Sequence, residues 1–106
     1  MLVAELDDVT YDLEVDGEPV RRTLQRRVWE RRGWATVAIV FEERAADGTW
    51  KPPKLALIRL QRSHDAWKKH AAITLAGPDA AALAETLAGW RAELAGDPTD
   101  DEQGAE

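Results

Sequence analysis

WATVAIVFEE, residues 34–43, is apolar in both alternating phases: Val37, Ile39 and Phe41 fall in one, Trp34, Ala38 and Val40 in the other. β-Branched residues dominate the run, and it is too short and too branched to read as a helix. It reads as a central strand, and the rest of the chain can be placed around it.

Upstream, VTYDLEV (residues 9–15) alternates: Val9, Tyr11, Leu13 and Val15 point one way and Thr10, Asp12 and Glu14 the other, as in a half-buried strand. Asp16-Gly17 follows and suits a type I′ hairpin turn, whose two central positions both take positive φ. The chain is then expected to return as a strand from about Pro19 to Glu30. Val20, Leu24 and Val28 share one phase with Arg22, Arg26 and Glu30; Arg21, Thr23, Gln25, Arg27 and Trp29 occupy the other. Arg31-Arg32-Gly33 reads as the turn into the central strand.

Downstream, Ala45–Pro53 is a loop, with Asp47-Gly48 as a turn and Pro52-Pro53 unable to join a ladder. KLALIRLQR (54–62) and WKKHAAITLA (67–76) read as two further strands joined by a turn at Ser63–Ala66. Gly77-Pro78-Asp79 opens a helix, since proline at the first helical position costs no hydrogen bond and an acid suits a helix N-terminus. Ala80, Leu83, Leu87, Trp90 and Leu94 recur at spacings of three and four and form one apolar stripe on a helix of about 78–95, with Gly89 inside it and Gly96 ending it. The expected fold is α+β: an antiparallel meander sheet of four to five strands followed by one C-terminal helix packed on one face. The core is expected at Leu24, Val28, Val37, Ile39, Phe41, Leu55, Leu57 and the helix stripe with Trp90. Residues 1–96 form one domain on this reading, and 97–106, DPTDDEQGAE, a disordered acidic tail.

Charge is distributed unevenly. The chain has 106 residues and a formal net charge of −6. Residues 21–70 hold 13 of the 14 Lys and Arg, four of the five tryptophans and only five acids. Residues 1–20 carry seven acids and no base. An acidic protein therefore contains a basic, tryptophan-rich middle. Because the Debye length is roughly 8 Å at physiological salt, a local basic face acts on a ligand largely independently of distant acids. The absence of cysteine excludes disulfides and thiolate metal sites. No run is apolar and long enough for a membrane-spanning helix, and the acidic N-terminus lacks the basic start of a secretory signal, so a cytoplasmic protein is expected.

Catalytic patterns are weak. Ser63, His64 and Asp65 are adjacent in a turn, whereas a nucleophile, base and orienting acid must converge in space. His64 and His70 are the only histidines, too few for a zinc site. Glu42 and Glu43 point to opposite faces of a strand. No enzyme activity, metal or cofactor is expected. What remains is the interleaving of cations and aromatics, the pattern with which proteins hold single-stranded nucleic acid: cations for phosphates and aromatic faces for bases. The expected contacts are Lys51, Lys54, Arg59, Arg62, Lys68 and Lys69 for phosphates, and Trp34, Trp50 and Trp67 for bases, with Trp29 also near a basic turn. The alternative is a homodimeric protein–protein interaction or assembly module, with the helix stripe as interface.

The succession VAIVFEER (37–44), DGTWKPPK (47–54), LALIRLQR (55–62) and WKKHAAITL (67–75), running into a helix with Asp79 near its start, resembles the ββββα single-strand-binding group: the Whirly proteins, the Pur-alpha repeats and the transcriptional positive cofactor four family. The likeness spans residues 34–95. It implies single-stranded DNA or RNA binding on the sheet and homodimerisation through sheet edges and helices. Arg59 and Lys69 are the positions that carry over individually.

Overall fold

The computed structural model describes residues 2–96. Among them, strands β1 (Leu2–Val3), β2 (Leu13–Val15), β3 (Glu18–Arg31), β4 (Trp34–Glu43), β5 (Lys54–Ser63) and β6 (Ala66–Ala76) precede the helix α1 (Gly77–Gly89) and a short turn of helix, α2 (Arg91–Leu94). All six strands lie in one antiparallel sheet of order β1-β6-β5-β4-β3-β2, curled into a half-barrel. The expected strand count of four to five is exceeded because Leu2–Val3 also pairs, against Lys68 and Trp67 of β6. The tail at 97–106 lies outside the described residues.

The turns follow local chemistry. Asp16 and Gly17 have φ of 54° and 82°, and Arg32 and Gly33 have φ of 50° and 80°. Both hairpins thus use two successive left-handed residues, which matches the right-handed twist of the flanking strands. Two register shifts, at Thr23/Gln25 in β3 and opposite Arg59/Leu60 in β6, bend the long strands.

The core lies against one face of the sheet. Ala35, Val37, Ile39 and Phe41 of β4 and Ala56, Ile58 and Leu60 of β5 are buried, joined by Trp67 of β6 and by Val9 from the N-terminal segment. Val3, Leu6, Tyr11 and Val28 pack against them. This face is covered by residues 2–11, which cross it in place of the helix. Arg26 ties the cover down, its Nε donating to the Val9 carbonyl at 2.9 Å and its Nη2 to the Leu6 carbonyl. Tyr11 N–H donates to Thr23 Oγ1 at 2.9 Å, and Arg21 Nε donates to the Tyr11 carbonyl at 2.8 Å. These side-chain bonds stand where a strand ladder was expected, so β2 begins only at Leu13, and Leu13 and Val15 are exposed.

Three further expectations are corrected. Leu24 is the extra residue at the β3 bulge and is exposed instead of being in the core. Leu55 and Leu57 are half-buried and stand on the face opposite the core, as their register against Val40 and Ala38 requires. The helix breaks at Trp90, directly after Gly89, and buries no residue. Leu87, Trp90 and Leu94 are 41%, 56% and 64% exposed, so the C-terminal half of the stripe faces solvent in the single chain, while Ala80 and Leu83 are half-buried. Gly77 is where α1 meets the body of the fold: a Cβ there would stand 2.9 Å from the Pro53 carbonyl oxygen.

A cationic–aromatic lattice on the open sheet face

Cross-strand partners share a face of a sheet, so the register sorts every basic residue. On the face away from the core, β3 to β6 align in rows. Arg31, Trp34, Gln61 and Lys68 form the row beside the β3–β4 turn. Trp29, Thr36, Arg59 and Ala71 form the next, then Arg27, Ala38, Leu57 and Ile73. Gln25, Val40, Leu55 and Leu75 follow. One end of this open face is therefore basic and aromatic, and it grades into an apolar band. Rows two residues apart are about 7 Å apart along the strands, and neighbouring strands are about 4.8 Å apart.

Side-chain contacts knit the basic end together. The Arg59 guanidinium lies 4.8 Å from the Trp34 ring centroid and Nη1 donates to Thr36 Oγ1 at 3.0 Å. The His70 ring meets Trp34 edge-on at 5.0 Å. Arg27 lies 5.5 Å from the centroid of Trp29, which is 51% exposed. Each guanidinium occupies a ring face in a cation–π contact, worth about 0.5–1 kcal/mol at exposed sites. Among the described residues no acidic side chain stands in these rows: Glu30, the nearest on β3, pairs with buried Ala35 and belongs to the core face. A groove of about 270 Å³ opens where the cluster meets β6, between Arg59, Leu57, Ala71 and Ile73.

Trp50 stands apart. Its ring lies 4.1 Å from Arg22, which is ion-paired with Glu42, so this cation is already neutralised. From Thr36 to Glu42 is about 20 Å along a strand, which separates this pair from the basic end. Lys51 is exposed in the adjoining loop.

Four expected contacts fall on the core side. Trp67 is 3% exposed on the core face and offers no face for a base; its expected stacking role is corrected by its burial. Arg62 lies 5.6 Å from that ring, on the same face. Lys54 aligns with buried Phe41, and its Nζ lies 2.9 Å from Glu43 Oε1. This bond holds the Glu43 carboxyl below its ordinary range. Lys69 aligns with buried Leu60, although its own side chain is exposed. The sheet thus unites Trp34, Arg59 and Lys68 from the expected set with Trp29 and Arg31 of the basic turn, and adds Arg27 and His70. The signal for Arg27 and Trp29 was their common strand phase. His70 has no comparable signal, because the β6 bulge resets the alternation there.

Among the described residues no group of three or more His, Cys, Asp or Glu is placed to hold a metal ion, and no helix is long and apolar enough to cross a membrane. No protein-family model, curated protein or solved structure matches the chain.

Proposed function

We propose that this chain is a single-stranded nucleic-acid-binding module without catalysis, and that DNA or RNA lies across the basic end of the open sheet face. Trp29 and Trp34 stack bases there, while Arg27, Arg31, Arg59 and Lys68 neutralise phosphates. The supporting observation is that the strand register brings two tryptophans and four cations into neighbouring rows of one sheet face. Stacking on aromatic side chains is worth about 1–3 kcal/mol per base and tolerates any sequence. Trp50 and Arg22 extend the path only for a longer strand, because their charge is matched by Glu42.

Titration of the protein with an oligo-dT, followed by intrinsic tryptophan fluorescence at about 50 and 200 mM salt, tests the reading. Four neutralised phosphates correspond to a log–log salt slope near −3 and about a 50-fold loss of affinity over that range. Absence of quenching at the lower salt, or affinity that ignores salt, refutes it.

A further inference from the structure

The core side of the sheet carries another cleft, on the face away from the cationic rows. It measures about 330 Å³ and opens between the covering segment and the ends of three strands. Glu30 of β3, Arg62 of β5 and Glu5 of the cover line it, together with the apolar Leu6, Val28 and Trp67. Register accounts for the meeting. Glu30 pairs with Ala35 and Arg62 with Trp67, both core-face positions. The Arg62 N–H donates to the Gly33 carbonyl at 2.8 Å, which fixes the end of β5 beside the β3–β4 turn. Because β4 lies between them, the strands carrying Glu30 and Arg62 are about 10 Å apart.

The charges of this cleft are not matched within it. Asp7, at its rim, lies 3.9 Å from Arg26. Among the described residues Glu5 and Glu30 form no ion pair, and the Arg62 guanidinium stands 5.6 Å from the Trp67 ring centroid, with no carboxylate against it. Small-molecule sites combine an apolar lining with a few polar groups that fix orientation. Here those groups are two carboxylates and one guanidinium, which match a ligand with two cationic groups and one carboxylate.

We infer that this cleft binds a free basic α-amino acid, arginine or lysine. The ligand carboxylate takes the Arg62 guanidinium, whose planar fork suits two parallel hydrogen bonds. The α-ammonium and the side-chain cation take Glu5 and Glu30, and the methylenes lie along Leu6, Val28 and Trp67. A dicarboxylate would bring negative charge to Glu5 and Glu30, and a polyamine would leave Arg62 unmatched. Glu5 and Leu6 belong to the cover and the other residues to the sheet, so the bound ligand ties one to the other. The inference concerns the core side and stands whether or not the open face binds nucleic acid.

Calorimetric titration with L-arginine is the direct test, alongside agmatine, which lacks the carboxylate, and citrulline, which lacks the side-chain charge. Arginine is expected to bind at least about tenfold more tightly than either, the effect of one hydrogen-bonded charge. Arg62→Met, at an exposed position, is expected to lower arginine affinity to that of agmatine, and Glu30→Gln, also exposed, to lower it by a similar factor. Arginine is also expected to slow amide exchange at Asp8 and Val9, whose N–H groups close the turn of the cover on the Glu5 and Leu6 carbonyls. Arginine that fails to bind at millimolar concentration, agmatine that binds as tightly as arginine, or a folded Arg62→Met protein with wild-type affinity overturns the inference. Should the variants lose their fold by circular dichroism, the wild type decides: equal affinities across the three ligands, or unchanged exchange at Asp8 and Val9, refute it.

Discussion

Arg26 and Arg27 are neighbours in sequence on opposite faces of β3, and replacing each by methionine separates holding the fold from binding. Arg26 aligns with buried Ile39 and bonds two carbonyls of the segment that covers the core. Its contact with Asp7, at 3.9 Å, adds little because the carboxylate is 96% exposed. Methionine keeps the apolar stem and removes the donors. Hydrogen bonds from a charged donor contribute about 1.5–3 kcal/mol each. The freed carbonyls of a peripheral segment partly recover water, so a loss of about 2–4 kcal/mol is expected for Arg26→Met. For a domain of this size that is roughly 10–25 °C in Tm. Arg27 is exposed, and its contact with Trp29 is worth about 0.5–1 kcal/mol. Arg27→Met is therefore expected to change stability by less than about 1 kcal/mol while making the salt slope of oligo-dT binding shallower by about 0.7, the effect of one lost phosphate contact on a single strand. Below its own melting transition, Arg26→Met is expected to keep the wild-type slope. Urea unfolding and fluorescence titration at several salts measure both quantities. Equal destabilisation by the two variants, or an Arg26→Met protein within about 0.5 kcal/mol of wild type, would falsify the assignment of the faces.

Trp67→Ala is expected to cost about 3–5 kcal/mol in urea unfolding, since the ring is 3% exposed, whereas Trp29→Ala should cost under about 1 kcal/mol and remove much of the fluorescence response to oligo-dT. Gly77→Ala should lower Tm even though alanine favours helix by about 1 kcal/mol, because its Cβ would press on the Pro53 carbonyl at 2.9 Å; an unchanged or higher Tm would show that the strand-to-helix junction relaxes freely. Glu43 has its folded pKa lowered, mainly by the hydrogen bond from Lys54. Its contribution is therefore present above the ordinary carboxylate value of 4.5 and lost as pH falls through the lower folded value. Glu43→Gln is expected to flatten stability below about pH 4.5 by under about 1 kcal/mol, given side chains 33% and 41% exposed; an acid limb identical to wild type counts against the pair.

The β3–β6 meander could be read from local chemistry because each part of it is locally encoded. Branched apolar runs at 34–43 and 54–62 need strands, and Asp16-Gly17 and Arg32-Gly33 need left-handed turns. Two elements were misread for physical reasons. The alternation of VTYDLEV sends Val9 and Tyr11 to the core correctly, but their backbone partners are side chains from residues ten or more positions away, which no local pattern encodes. The helix stripe has the spacing of a buried face whether its cover comes from the same chain or from another, so Trp90 was placed in the core and lies in solvent. For the site, adjacency in sequence was a poor guide to adjacency in space. Trp67 and Lys68 look like one cluster in the chain, yet alternation sends the ring into the core and Lys68 into the row of Trp34. Only the register of four strands reveals that Arg27, Trp29, Arg31, Trp34 and Arg59 form one surface.

The same alternation resolves the contrast between an acidic chain and a basic middle. The N-terminal acids Glu5, Asp7 and Asp8 travel with the segment that covers the core, and Arg26 meets that segment from beneath. Glu42 and Glu43 are spent on Arg22 and Lys54 toward the far end of the sheet. In the rows at the basic end of the open face, Arg27 and Arg59 lie against Trp29 and Trp34, and the strand residues of those rows include no carboxylate. With the Debye length near 8 Å in physiological salt, a ligand on that end meets the local cations far more strongly than the net −6 of the chain. The apolar band beside it, from Ala38 and Leu57 to Ile73, runs without interruption into the uncharged β6 edge. Within four strands the sheet face grades from cationic to apolar to an edge that, among the described residues, has no strand beside it.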